Sequence, residues 1–178
     1  MAMPRERPPI RPLDAAALER MALRYVERFA TTRGKLADYL TRKIRERGWS
    51  GDESDPVALA ERMAELGYID DRGFAEARAA AMARRGLGGR RVADALRAAR
   101  VGEPDRQSVV PQVAERAYDA AIAFAKRRRI GPFGDGSGDR AVREKQVAAM
   151  LRAGHGFDLA RRIVALPPGD VPPEDDFS

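Results

Sequence analysis

The sequence predicts an all-α chain of tandem three-helix repeats forming an elongated, curved array. Three observations carry this. Apolar residues recur three and four apart between Gly and Pro breaks, the period of a one-sided helix. Alternating runs of Val, Ile, Thr and Tyr are nearly absent, which removes the usual strand signal. An aromatic-bearing helix, a short turn and a Leu- or Val-striped helix recur. Tyr25 and Phe29 precede Leu36 and Leu40, Phe74 precedes Val92 and Leu96, and Tyr118 and Phe124 precede Val147 and Leu151. The spacing is roughly fifty residues, close to that of a three-helix repeat. Such an array buries its core between neighbours and offers a long concave face rather than one deep pocket.

Helices are expected in close succession. Leu18, Met21, Ala22, Tyr25 and Phe29 share one face of a helix over 13–29, and Thr31 and Thr32 break it. Leu36, Leu40 and Ile44, with Tyr39 beside them, stripe a second helix that stops at Gly48. Asp55-Pro56 is a helix start, an N-cap followed by proline at the first helical position. Leu59, Ala60, Met63 and Leu66 then face inward, and Gly67 closes the helix. Asp70 or Asp71 caps the next helix, which buries Phe74, Ala77 and Ala81. Gly86-Leu87-Gly88-Gly89 turns the chain into a helix striped by Val92, Ala95, Leu96 and Ala99, and Pro104 and Pro111 interrupt the stretch beyond it. Ala114, Ala117, Tyr118, Ala121 and Phe124 mark a helix ending in Lys126-Arg127-Arg128-Arg129 and Gly131. A Gly-rich loop spans 131–138. Val147, Met150 and Leu151 define a helix ending near Gly154, and Phe157, Ala160, Ile163 and Val164 define the last. The repeats are thus expected at 13–66, 67–110 (the central motif) and 111–166.

The ends differ from the body. Residues 1–12 hold four prolines with Arg5, Arg7 and Arg11, a basic arm with no helical period. Residues 167–178 form a Pro-rich acidic tail. Neither buries enough apolar surface to offset its ordering entropy, so both are expected to be disordered. The net charge is +6. The tail contributes Asp170, Glu174, Asp175 and Asp176 with no Lys or Arg, so the body is more basic still. Lysine occurs only at 35, 43, 126 and 145; the positive charge is mostly arginine. A basic body attracts phosphate backbones and acidic protein surfaces. Without cysteine there are no disulfides or thiolate metal sites. No apolar run spans a bilayer and no secretory leader opens the chain, so a cytoplasmic monomer without membrane contact is expected.

No catalytic set emerges, and no cofactor or metal is expected. Asp70 and Asp71 suit a helix start, one as cap and the other favouring the positive end. Gly131-x-x-Gly-x-Gly-x-Gly follows a helix rather than a strand, and Asp139-Arg140 stands where a phosphate loop needs Lys-Ser/Thr. His155, the one histidine, sits between Gly154 and Gly156 and reads as a turn residue. Trp49 follows a helix end and covers an apolar edge. The cationic groups are more informative. Arg84, Arg85, Arg90 and Arg91 flank a glycine turn and would cluster in space. Lys126, Arg127, Arg128 and Arg129 form a second group at a helix end. Arg140, Arg143 and Lys145 open the following helix against its dipole, a local cost that binding could offset. This is the pattern of a helical module for a polyanion or a protein–DNA assembly.

The stretch 66–101 resembles the central repeat of the RecX family, regulators of the RecA recombinase. The matching residues are Gly67, Tyr68-Ile69-Asp70-Asp71, Phe74-Ala75, Arg84-Arg85-Gly86, Gly88, Arg90 or Arg91, Val92 and Leu96. The flanking helix order extends the likeness to about 18–166. The chain departs from the family pattern at Arg78, Met82 and Ala95, and the loop over 131–138 is an insertion in the third repeat. The resemblance implies a three-repeat helical array that lies in the groove of the RecA filament on single-stranded DNA. Such a protein limits filament growth and lowers ATP hydrolysis, strand exchange and coprotease activity, with no catalysis of its own. The cationic groups, Arg84, Arg85, Arg90, Arg91, Arg97, Arg100, Lys126, Arg127, Arg128, Arg129, Arg140 and Arg143, are then the candidate contacts to RecA or DNA. Asp70, Asp71, Phe74, Gly86 and Gly88 would be structural. Arginine forks suit both carboxylates and phosphates. Two rivals remain at this level: a stand-alone helix-turn-helix DNA-binding protein that also takes duplex DNA, and a helical-repeat glycosylase, which the lack of paired carboxylates disfavours.

Overall fold

Four helices start where side-chain chemistry supplies a missing acceptor. Asp14 accepts from Ala17 N–H at 2.7 Å, Thr32 from Lys35 N–H at 3.1 Å, Asp55 from Ala58 N–H at 2.9 Å and Asp139 from Val142 N–H at 2.9 Å. Each satisfies one of the unpaired amides that open a helix. The computed structural model describes residues 11–136, 138–171 and 173. Most of the basic arm, Ser137 of the Gly-rich loop and most of the acidic tail's charge lie outside the described residues. The elements are α1 (Ala15–Arg28), α2 (Arg33–Arg47), α3 (Pro56–Glu65), α4 (Asp71–Arg84), α5 (Gly89–Ala98), α6 (Glu103–Ser108), α7 (Val110–Glu115), α8 (Ala117–Arg128), α9 (Arg140–Arg152) and α10 (Phe157–Ala165). A 3₁₀ turn at Gly131–Phe133 precedes α9. The architecture is all-α, as the sequence predicts, with no strand among the described residues.

Two compact units divide the chain, Met1–Asp71 and Arg72–Ser178. In the first, α1, α2 and α3 close over Leu13, Leu18, Ala22, Leu36, Leu40, Ala60, Met63 and Ile69. Burying a Leu or Met side chain is worth about 1.5–3 kcal/mol. An isolated parallel bridge joins Leu13 to Trp49 and ties the chain before α1 to the chain after α2. Trp49 packs against this cluster. Asp71, 6% exposed, accepts the Arg33 backbone N–H at 2.9 Å and its Nε at 3.1 Å. Its carboxylate thus serves the start of α2, a partner that the local reading of Asp71 as a cap for α4 did not supply. Arg33 also reaches Glu61 at 3.1 Å. Partial burial pulls the Arg33 pKa down, but its hydrogen bonds to the two carboxylates outweigh this and raise it.

The second unit holds two clusters in succession. Ala75, Ala79 and Met82 of α4 meet Val92 and Leu96 of α5 and its C-cap Ala99, with Val101 and Val109 completing the layer. Ala121 and Ala125 of α8 pack with Ile130, Met150 of α9, and Ala160, Ile163 and Val164 of α10. The buried face of α4 is therefore Ala75–Ala79–Met82, with Phe74 half-buried beside it, whereas Ala77 is exposed. Alanine on several faces of this helix leaves its period uninformative. Three other residues expected inward are exposed: Phe29 (51%), Leu66 (61%) and Phe157 (56%). Phe29 and Leu66 are C-caps and Phe157 opens α10, so the helical face has ended or barely begun there. Pro104 and Pro111 do not interrupt helices. They sit in the first turns of α6 and α7, where a missing N–H costs nothing.

Candidate functional site

The α4–α5 turn is built from backbone. Gly86 has φ +67; its N–H bonds Ala83 O at 2.7 Å, and Leu87 N–H bonds Met82 O at 3.0 Å. This pair is the Schellman closure that a left-handed glycine permits. A Cβ on Gly86 would lie 2.7 Å from Phe124 N of α8. Gly88 donates to Ala153 O at 2.9 Å and Arg90 to Gly154 O at 3.2 Å, so the turn lies directly on the α9–α10 turn. A Cβ on Gly88 would come within 2.3 Å of the Gly154 carbonyl.

His155 completes the lock. It is 2% exposed, and its Nε2 lies 3.1 Å from Gly86 O. Its ring packs 5.5 Å from that of Phe124. Burial pushes the His155 pKa below the usual imidazole value, and the bond to Gly86 only partly opposes this. The expectation of a plain turn residue is therefore corrected: flanking glycines let the ring turn inward and tie two turns together. Arg127 of α8 donates to the Arg85 carbonyl and brings the end of α8 to the same place.

On this frame Arg84, Arg85, Arg90 and Arg91 are all exposed. Among the described residues none of the four pairs with a carboxylate. Other arginines are engaged: Arg33 with Asp71, Arg62 with Glu19, Arg72 with Glu76 and Arg106 with Glu103. Arg127 joins the four through its bond to Arg85. Arg97, toward the far end of α5, binds Asp94 at 2.9 Å, and Arg100 follows in a left-handed conformation, φ +57.

The second cationic group splits. Lys126, Arg127 and Arg128 occupy the last turn of α8 and suit its negative end; Arg129 caps it in a left-handed conformation. Arg129 and Arg143 line one cleft with Phe133 of the Gly-rich loop and Pro167 and Pro168 after α10. Arg140 instead binds Glu144 at 2.9 Å. The Gly-rich loop hands over to Asp139, which caps α9. Asp70 ends the turn that precedes α4, and Gly86 and Gly88 are buried within their turn. Among the described residues no group of three or more His, Cys, Asp or Glu could hold a metal ion, and no helix is long and apolar enough to cross a membrane.

No family model matches the chain. It is 30% identical over 174 residues to the regulatory protein RecX of Myxococcus xanthus, covering 90% of this chain and 91% of that one. It is 25% identical over 149 residues to the regulatory protein RecX of Agrobacterium fabrum, covering 82% and 80%. Among solved structures it resembles RecX from Lactobacillus salivarius, with a TM-score of 0.61 at 17% identity over 84% of this chain and 93% of that one. A second crystal structure of a regulatory protein RecX aligns with a TM-score of 0.58 at 20% identity, covering 83% and 72%.

Proposed function

The chain belongs to the RecX family, and we propose that it binds RecA filaments on single-stranded DNA, limits their growth and so lowers ATP hydrolysis, strand exchange and coprotease activity. The observation that carries this reading is the set of four exposed arginines without carboxylate partners on a backbone-locked turn. Guanidinium forks bind carboxylates or phosphates in two-pronged geometry. A turn held by backbone bonds loses little freedom when it binds.

Arg84, Arg85, Arg90, Arg91 and Arg127 form the centre of the proposed contact. Arg97, Arg100, Lys126, Arg128, Arg129, Arg140 and Arg143 extend it. The three buried clusters correspond in this reading to three repeats, and the protein acts as a cytoplasmic monomer that performs no chemistry itself. Co-sedimentation with RecA filaments on single-stranded DNA tests it. The wild type is expected in the filament pellet, and the Arg84→Ala, Arg85→Ala, Arg90→Ala, Arg91→Ala combination is expected to stay largely in the supernatant. Equal pelleting of both proteins would remove these side chains from the contact. Tight, sequence-selective duplex binding without RecA would favour the helix-turn-helix reading instead.

A further inference from the structure

The α1–α2 hairpin carries a surface that the proposed RecA contact does not use. Tyr25 of α1 and Tyr39 of α2 stack with ring centroids 4.3 Å apart and an interplanar angle of 27°. Phe29 tilts against Tyr25 at 5.2 Å. The three rings form a continuous ladder from α2 across α1. Tyr25 and Tyr39 pack against the first core cluster, which makes the inner rungs rigid. Phe29, the outer rung, is 51% exposed. Its backbone has left the helix at φ −132, ψ 127, while its N–H still bonds Tyr25 O, so the ring projects beyond the helical face.

Cations surround the ladder. The Arg28 guanidinium lies over one side of the Phe29 ring, 5.8 Å from its centroid, and Arg42 and Lys43 lie over the Tyr39 ring at 5.7 and 5.9 Å. Glu46 holds Lys43 at 2.6 Å and Arg42 at 3.6 Å, which steadies both beside the ring. Residues 20–47 carry nine Arg and Lys against three carboxylates, so the hairpin attracts anions as a whole.

We propose that this ladder is a stacking site for an unpaired nucleic-acid base, with the uncovered side of Phe29 as the face the base meets and Arg28, which has no carboxylate partner among the described residues, facing the flanking phosphate; Arg42 and Lys43, held by Glu46, hold the Tyr39 end of the ladder. An apolar protein surface docking here would have to strip water from three cations. A nucleotide presents a planar face and an anion together, and aromatic faces ringed by cations are how single strands are held without sequence preference. Bases within a duplex are already stacked on one another and cannot reach the ring. The site shares no residue with the arginine set proposed for RecA, and its test uses no RecA, so either reading can fail alone.

The test is fluorescence anisotropy with a labelled oligo-dT strand and a labelled abasic strand of the same length. The wild type is expected to bind oligo-dT about five-fold or more tightly than the abasic strand, the worth of one stacked base. Phe29→Ala, at an exposed position, should lose that preference and leave abasic binding unchanged, while Phe29→Trp should keep it. Equal affinity of the wild type for both strands, no binding to either, or an undiminished preference in Phe29→Ala would overturn the proposal. An equal loss on both strands in Phe29→Ala would overturn it too, because that pattern reports phosphate contact alone.

Discussion

Replacing Gly88 with alanine sets two physical effects against each other with opposite signs. Its φ of −79 and ψ of 170 suit alanine as well as glycine. Restricting the unfolded chain would stabilise the protein by about 0.4–1 kcal/mol, a gain that is offset because Gly88 is the N-cap of α5, where alanine is poorer than glycine. Here the new Cβ would sit 2.3 Å from the Gly154 carbonyl and 2.5 Å from His155 N. Both are backbone, so neither can swing aside. The turns must separate by about 1 Å to restore ordinary contact. Overpacking of this kind costs about 1–3 kcal/mol. Weakening the Gly88–Ala153 and Arg90–Gly154 hydrogen bonds adds about 0.5–1.5 kcal/mol for each. The net expectation is a loss of about 2–5 kcal/mol, a fall in Tm of roughly 5–15 °C for a chain of this size. Thermal unfolding followed by far-ultraviolet circular dichroism reads it. Gly156→Ala is the control: with nothing within 4 Å of its Cβ, it should stay within about 1 kcal/mol of wild type. If Gly88→Ala melts at or above the wild-type temperature, the direct seating of one turn on the other is wrong.

The other expectations concern the remaining parts of the framework. His155 is buried with its pKa lowered, so the unfolded chain binds its proton more readily than the native one. Its contribution is complete above the unfolded pKa of about 6.5 and declines as pH falls from there toward the lowered native value. The urea midpoint of the wild type should therefore drop between pH 7.5 and 5.5 by more than that of His155→Phe; equal drops would refute it. Asp71→Ala removes two hydrogen bonds from Arg33 and should cost about 1–3 kcal/mol. Trp49 fluorescence, which reports the first unit because that ring packs on its core, should register an earlier denaturation; an unchanged midpoint would mean that water replaces the carboxylate without cost.

Helix starts and buried stripes were largely legible because their causes are local. Asp55-Pro56 opens α3 as its chemistry requires, and Leu36 with Leu40 and Val92 with Leu96 are buried as their spacing requires. Periodicity failed at helix ends, where it carried Phe29 and Leu66 one residue past the last turn, and in α4, where alanine on several faces gave no side to choose. The partners of Asp71 and His155 lie 38 and 69 residues away in sequence, beyond any local pattern. Arginines look alike in a sequence. The i,i+3 and i,i+4 spacing of Asp94 to Arg97 and Arg140 to Glu144 could have marked those two as engaged. That Arg127 joins Arg84, Arg85, Arg90 and Arg91 needed the fold, because the two glycine turns meet through backbone bonds and the Arg127 side chain reaches the Arg85 carbonyl across 42 residues of sequence.

Regulation of RecA is read out by its single-stranded-DNA-dependent ATP hydrolysis while this protein is titrated well below the RecA concentration. Inhibition is expected at low ratios, and it should weaken in the variant with Arg84, Arg85, Arg90 and Arg91 replaced by alanine, whose thermal stability should match the wild type because all four side chains are exposed. Unchanged hydrolysis across the titration would contradict that regulation.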